Sequence, residues 1–99
     1  MHMRKAAGVV SFFTLDGDLL VAERLAVSPW APDQLSGTAV CGVLARQLEA
    51  HCPEGFVPAR LTVDLFRPVA NFPLAARSEV VRQGTRIVVA AAAIEQGSA

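Results

Sequence analysis

The stretch RLTVDLFRPVANFPLAARSEVVRQGTRIVVAAAAIEQG, residues 60–97, decides the fold that this sequence predicts. Apolar and polar side chains alternate over residues 60–64, a period of two that is typical of a half-buried strand. Pro68 has no backbone N–H to donate, so we expect that strand to end there. The stretch therefore starts with one predicted strand.

Two longer strands follow in the same stretch. Residues 74–82 and 85–95 flank the turn pair Gln83-Gly84, and together they predict a long antiparallel hairpin. Residues 87–94 are apolar at every position, so we expect cover on both faces of this strand. One face would meet a helix, and the other would meet a second domain or subunit.

An unusually apolar segment, GTAVCGVLARQLEAHC, precedes these strands at residues 37–52. Residues 39–45 are apolar nearly all round a helix, and such a helix must be enclosed rather than lie on a surface. One apolar helix ahead of a long antiparallel sheet predicts an α+β fold in which the sheet wraps around a central helix.

The start of this helix is marked by its flanking residues. Ser36 is a suitable N-cap for a helix that begins at Gly37 or Thr38. Asp33 adds negative charge near the positive end of the helix dipole.

A shorter hairpin is predicted nearer the N-terminus. Residues 9–15 and 19–26 flank Asp16-Gly17, a pair that favours a type I′ turn. Two prolines within residues 28–32 then interrupt the strand pattern before the helix.

Composition limits the function classes. The chain has 99 residues, of which 53% are hydrophobic and 18% charged, as expected for one globular domain. Nine basic and nine acidic side chains cancel, and no basic tract is present, so nucleic acid and membrane are not expected as partners. The longest apolar run is too short to cross a bilayer, and we expect a cytoplasmic protein.

The two cysteines predict neither a disulfide nor a metal site. Cys41 and Cys52 both lie in the proposed helix, with their backbones roughly 16 Å apart, which is beyond disulfide reach. No CxxC motif or histidine cluster is present, so we expect no metal and no cofactor.

Several short motifs follow one another in a recognisable order. They are Ser28-Pro29-Trp30, Ser36-Gly37-Thr38, Leu44-Ala45-Arg46-Gln47-Leu48-Glu49, Arg60-Leu61-Thr62-Val63-Asp64 with Arg67-Pro68, and Val81-Arg82-Gln83-Gly84-Thr85-Arg86. In this order they resemble the acyl-CoA thioesterase-like branch of the hot-dog superfamily, specifically its N-terminal hot-dog half. The resemblance implies an antiparallel sheet wrapped around one long helix. It also implies that two such units pair into a continuous sheet and that acyl-CoA is cleaved at their interface.

Two departures from the family pattern are visible. The family helix commonly opens with His-Gly-Gly, whereas here it reads Leu35-Ser36-Gly37. Family members also continue past the turn at Gln96-Gly97 into one further strand. We therefore expect residues 1–99 to form a single hot-dog domain that is truncated before its last strand. We expect a partner chain, a dimer edge or the remainder of the protein to cover the unpaired sheet edge.

Thioester hydrolysis needs hydrogen-bond donors for the developing oxyanion and a carboxylate that activates water or attacks directly. The free N–H groups of Gly37 and Thr38 at the helix start are the candidate donors. The alternative is a capped helix whose glycine only fits beneath a strand.

The candidate carboxylates are Asp33 and Asp64. Some hot-dog thioesterases carry a carboxylate two turns into the helix, where this chain has no acidic residue. Glu49 is about 18 Å along the axis from Gly37, too far to share a substrate carbonyl. A helix-start charge remains the alternative for Asp33, and an ion pair near Arg60 the alternative for Asp64.

Candidate substrate-binding residues lie outside the helix. Arg82 and Arg86 could meet the phosphates of CoA, or they could be solvated hairpin charges. Trp30 could line an acyl tunnel or anchor the loop before the helix, and Ser36 is better placed as a cap than as a nucleophile. His51 lies at the helix end, where we do not expect a general base.

Two functions are therefore predicted. The first is an acyl-CoA thioesterase-like protein that hydrolyses a fatty or aromatic acyl-CoA. The second is a catalytically silent hot-dog unit that serves as a dimerisation or acyl-binding module. In both cases we expect a homodimer or a second hot-dog domain as partner.

Overall fold

The computed structural model describes residues 12–65 and 67–97. Among these residues, one β-hairpin precedes a single α-helix and a second β-hairpin follows it. The elements are β1 (Phe13–Asp16), β2 (Leu19–Ala22), a 3₁₀ turn (Arg24–Ala26), α1 (Gly37–Glu49), β3 (Ala75–Gln83) and β4 (Val88–Glu95).

The first hairpin pairs β1 with β2 in antiparallel register, from Phe13 opposite Ala22 to Asp16 opposite Leu19. The two loop residues are therefore Gly17 and Asp18, one position later than predicted. Gly17 has a φ of 63°, whereas no non-glycine residue described has a positive φ. A type I′ turn needs positive φ at both central residues, so this turn is of type II′ and the type I′ prediction is wrong.

The strands of this hairpin are also shorter than the pattern suggested. Residues 9–11 lie outside the described part of the chain, so the start of the predicted first strand is not tested. β2 ends at Ala22 rather than at residue 26, because the chain turns into the 3₁₀ segment, where Ala26 N donates to Glu23 O at 2.9 Å.

Helix α1 begins at Gly37, as predicted, and Ser36 is its N-cap. Ser36 has an extended backbone, and its Oγ accepts a hydrogen bond from the N–H of Ala39 at 3.1 Å. The helix ends at Glu49, before the predicted position 52. His51 N donates to Leu48 O, three residues back, so the last turn tightens instead of continuing as α-helix.

Removal of the cap should weaken the fold by a measurable amount. We expect Ser36→Ala to lower the free energy of unfolding by about 1 kcal/mol, because the N–H of Ala39 loses its acceptor. Ser36→Asp replaces the hydroxyl acceptor with a carboxylate oxygen at the same position and should retain most of the stability. Urea unfolding followed by circular dichroism measures both. An equal loss in the two variants would contradict the capping role.

The second hairpin pairs β3 with β4, from Ala75 opposite Glu95 to Gln83 opposite Val88. The N–H of Gly84 donates to Ile87 O at 2.8 Å and closes the turn. The predicted hairpin is confirmed, but its loop is residues 84–87, because Gln83 still pairs with Val88 and β4 begins at Val88 rather than at residue 85. A register shift at Val81 marks a β-bulge.

The two faces of β4 are buried to different extents. The even-numbered residues 88–94 are half-buried on the side of α1, whereas the odd-numbered residues 89–95 are exposed. The helix therefore covers one face of the strand, as predicted. The other face is open to solvent in this chain, with Val89 44% exposed.

A bridge between Leu20 and Leu74 joins the two hairpins, with reciprocal backbone hydrogen bonds of 2.7 and 2.9 Å. Helix α1 contacts both β3 and β4. The buried core of the described residues consists of Phe13, Leu20, Ala26, Leu35, Ala39, Val40, Val43 and Leu74. The result is an α+β hot-dog fold, in which antiparallel strands curve around the apolar face of a single helix. That helix is less enclosed than expected, because Gly42 is exposed.

Residues 60–65 do not form the predicted strand. Leu61 and Leu65 are 53% and 52% exposed, and the backbone of residues 60–65 makes no hydrogen bond to any described strand. An alternating pattern is not sufficient to form a strand, because the backbone N–H and C=O groups must also form hydrogen bonds with a neighbouring strand. Here a cavity lies between this segment and β4, and the strand prediction is wrong.

Candidate active site

The first turn of α1 presents two free backbone donors. Ala39 N is occupied by Ser36 Oγ, whereas the N–H groups of Gly37 and Thr38 have no acceptor among the described residues. Both residues are exposed. The positive end of the helix dipole lies at the same place, so this turn can stabilise negative charge on a ligand oxygen.

Gly37 is not needed there to avoid a steric clash. A Cβ at this position would lie 3.7 Å from Leu65 Cδ1, an ordinary van der Waals contact. Gly37 therefore lies beside Leu65 of the irregular segment, residues 60–65, and not beneath a strand packed on the helix. That placement brings the residues around Leu65 to the start of α1.

A large cavity lies between this irregular segment, α1 and β4. Its volume is about 980 Å³, at the upper end of the range common for ligand pockets. Val40, Leu44 and Leu48 form its apolar helix wall, and residues 90–96 form the wall from β4. An apolar chain with a polar end could lie in such a cavity.

A second, smaller groove of about 370 Å³ runs along the other side of the helix start. Its lining is almost wholly apolar and consists of Phe12, Phe13, Thr38, Ala39, Gly42, Val43 and Arg46. Thr38 lines this groove, while the neighbouring Gly37 lies beside Leu65, which lines the large cavity. The two free N–H groups are therefore close to both cavities.

The two candidate carboxylates are exposed, and they take different positions. Asp64 lines the large cavity and directly precedes Leu65. It makes no ion pair among the residues described, Arg60 included. Asp33 lies in the loop before the helix, where its backbone oxygen accepts a hydrogen bond from Asn71 N at 2.9 Å. Of the two candidates, Asp64 is thus the one that lines a cavity.

The remaining sequence candidates lie away from these cavities. Trp30 is 89% exposed and lines neither of them. Arg82 lies at the end of β3 and Arg86 in the following turn, and both are exposed. Ser36 acts as the helix cap.

Sequence reasoning missed a polar cluster at the other end of α1. Ser78 Oγ lies 2.7 Å from His51 Nε2, and it accepts a hydrogen bond from Gln47 Nε2 at 3.1 Å. Gln47 and His51 are four residues apart and share one face of the chain's helical turns. That spacing, with a serine in a helix-facing strand position, is the signal that could have indicated the cluster.

The part of the chain that the structure describes was also compared with the requirements of a metal site, a membrane-spanning helix and a disulfide. Among residues 12–65 and 67–97, no three His, Cys, Asp or Glu side chains are grouped so that they could hold a metal ion. No helix formed by the same residues has the length and apolar character needed to cross a membrane, since α1 has only 13 residues. Cys41 and Cys52 are both free thiols.

A protein-family model matches most of this chain. The family model for the acyl-CoA thioesterase N-terminal domain matches residues 26–98, which include α1, the irregular segment and the β3–β4 hairpin. No curated protein and no solved structure matches the chain. The match covers well over half of the 99 residues, in agreement with a helix inside a curved antiparallel sheet. The chain therefore belongs to the acyl-CoA thioesterase N-terminal domain family.

Proposed function

We propose that this chain is the hot-dog unit of a cytoplasmic acyl-CoA thioesterase-like protein that hydrolyses a fatty or aromatic acyl-CoA. The observation that carries the proposal is the pair of free N–H groups at Gly37 and Thr38, which lie beside two apolar-walled cavities. Membership of the thioesterase family supports the same substrate class.

In the proposed reaction, the thioester oxygen accepts hydrogen bonds from Gly37 and Thr38 while the acyl chain lies in an apolar cavity. Negative charge develops on that oxygen when the carbonyl is attacked, and preorganised N–H groups stabilise it without reorganising. The helix dipole adds to this stabilisation. These donors act most strongly on the transition state, because the ground-state carbonyl carries less charge.

A carboxylate activates the attacking water. Asp64 is the first candidate because it lines the large cavity, and Asp33 is the second because it directly precedes the helix start. The carboxylate takes a proton from water as the oxygen attacks the carbonyl carbon. The C–S bond then breaks, and the CoA thiolate leaves and is protonated. The products are a carboxylic acid and free CoA.

The second candidate function is a silent hot-dog module that pairs with another unit. Its supporting observation is the unpaired edge of β4, which bonds to β3 on one side only among the described residues. Two apolar side chains of the same hairpin are also exposed, Val81 at 60% and Ile87 at 67%. A homodimer or a second hot-dog domain would cover these groups.

An acyl-CoA panel separates the two functions. The purified chain is mixed with acyl-CoAs of increasing chain length and with an aromatic acyl-CoA, and the released thiol is measured. Sedimentation velocity of the same sample gives the oligomeric state. We expect thioester turnover above the rate with heat-unfolded protein. Dimer formation without any turnover would overturn the enzymatic proposal and support the silent module.

A further inference from the structure

A serine, a histidine and a glutamine meet where the end of α1 packs on β3. Ser78, His51 and Gln47 are all half-buried, and Ser78 Oγ lies 2.7 Å from the histidine nitrogen. The cluster is distant from the helix start, since His51 follows Gly37 by 14 residues, about 21 Å of helix. It therefore shares no residue with the site proposed above.

The hydrogen-bond pattern allows the serine hydroxyl to donate to the histidine. The Gln47 side-chain NH₂ can only donate, so it occupies one lone pair of Ser78 Oγ. The hydroxyl hydrogen is then free to point at His51 Nε2 when that nitrogen is unprotonated. A hydroxyl that donates to an imidazole nitrogen is the ground-state arrangement of a nucleophile with its general base.

The cluster is a dyad rather than a triad. Within the described residues, no other side chain is hydrogen bonded to His51, so no carboxylate fixes the second ring nitrogen. The backbone of His51 is fixed by the tightened last turn of α1, where its N–H donates to Leu48 O at 2.9 Å. The Gln47 donor also faces the oxygen on which negative charge builds as the serine loses its proton.

Neighbours of Ser78 and Gln47, though not the three cluster residues themselves, line the large cavity. Ala92 lines the cavity and is the direct cross-strand partner of Ser78. Leu48 also lines the cavity and is adjacent to Gln47 in the helix. An acyl chain that lies between Leu44 and β4 therefore reaches the immediate neighbours of the serine.

We propose that Ser78 is a nucleophile, activated by His51, that accepts an acyl group from an activated ester or thioester whose apolar chain lies in the large cavity. The serine oxygen bonds to the carbonyl carbon, and its proton passes to His51 Nε2. The bond to the leaving thiol or alcohol breaks, and His51 returns the proton to that leaving group. Water, deprotonated by His51, then hydrolyses the acyl-serine ester to the free acid.

Covalent labelling tests the proposal on the intact chain. The probe is a fluorophosphonate with an apolar alkyl chain, which phosphonylates an activated serine and releases fluoride. Trypsin cleaves after Arg77 and Arg82 and frees the peptide SEVVR, whose only hydroxyl residue is Ser78. We expect one phosphonyl group per chain on this peptide. Folded wild-type protein without an adduct on SEVVR would overturn the proposal.

Variants show whether the histidine acts as the base. His51→Gln retains a hydrogen-bonding side chain but cannot accept the serine proton as imidazole does, and it should slow labelling by about 100-fold. Thr14→Ala removes another half-buried strand hydroxyl and should leave the rate unchanged. Equal labelling rates in wild type and His51→Gln would count against the dyad.

A third readout needs no variant. Nitrogen-15 NMR of the wild-type chain should show His51 Nε2 as an unprotonated acceptor and the proton on Nδ1. A proton on Nε2 in the neutral ring would contradict the proposed direction of the hydrogen bond. Neither this measurement nor the adduct mass depends on acyl-CoA turnover. Failure of the dyad and failure of the Gly37 site are therefore separately visible.

Discussion

Phe13→Ala is expected to lower the free energy of unfolding by about 3–5 kcal/mol. Phe13 lies on β1 and is 1% exposed, one of the two largest fully buried side chains among the described residues. Truncation to alanine removes its buried apolar surface and leaves a cavity that the surrounding core fills only in part. Small domains are stable by only about 5–15 kcal/mol, so we expect a large unfolded population in mild denaturant.

Urea unfolding followed by circular dichroism measures this loss, and Phe72→Ala is its matched control. The Phe72 side chain is 54% exposed, so the same truncation there should cost less than about 1 kcal/mol. Its carbonyl still accepts the hydrogen bond from Gln96, because that bond involves only its backbone. Equal losses in the two variants would show that the core is not centred on Phe13.

Asp64→Asn is expected to reduce kcat for acyl-CoA hydrolysis by about 100- to 10,000-fold if Asp64 is the general base. Asparagine has nearly the same size, so it preserves the cavity wall but cannot take a proton from water. Because proton transfer occurs only in the transition state, kcat and kcat/KM should fall together while KM stays near its wild-type value. Thiol release from a saturating acyl-CoA measures the effect.

Two further variants make this result specific. Asp18→Asn makes the same chemical change at an exposed hairpin residue that lines neither cavity, and it should leave kcat unchanged. Asp33→Asn tests the second carboxylate in the same assay. A loss confined to Asp33→Asn would transfer the base role to the loop before the helix. Full activity in both Asp33→Asn and Asp64→Asn would exclude both of these residues as the base.

Local signals predicted the elements that are stabilised by local interactions. Ser36 could be recognised as a cap because its hydroxyl bonds to a residue only three positions away. The β3–β4 hairpin could be predicted because Gln83-Gly84 lies between two long strand patterns. At the first hairpin, Gly17 suits the second central position of a type I′ turn and the first of a type II′ turn, so local sequence alone did not specify the register.

The candidate site was predicted only in part. Gly37 and Thr38 could be named because the first N–H groups of any helix lack intrahelical acceptors. The position of Asp64 on a cavity wall depends on how residues 60–65 pass α1, and alternation alone does not specify that path. His51 was not predicted as a general base because it lies at the helix end. The partner, Ser78, is 27 residues away in the chain.

In the sequence, the order of short motifs indicated the family by resemblance. Hydrophobic period, capping and turn chemistry indicated the helix and the second hairpin, because they act between residues close in the chain. Three features were decided only by the tertiary structure. Residues 60–65 do not pair with a described strand, two cavities lie close to the start of α1, and Ser78 lies beside His51. Those features require backbone or side-chain groups from distant segments to come within hydrogen-bonding or van der Waals distance. Chain folding, and not local preference, sets such distances.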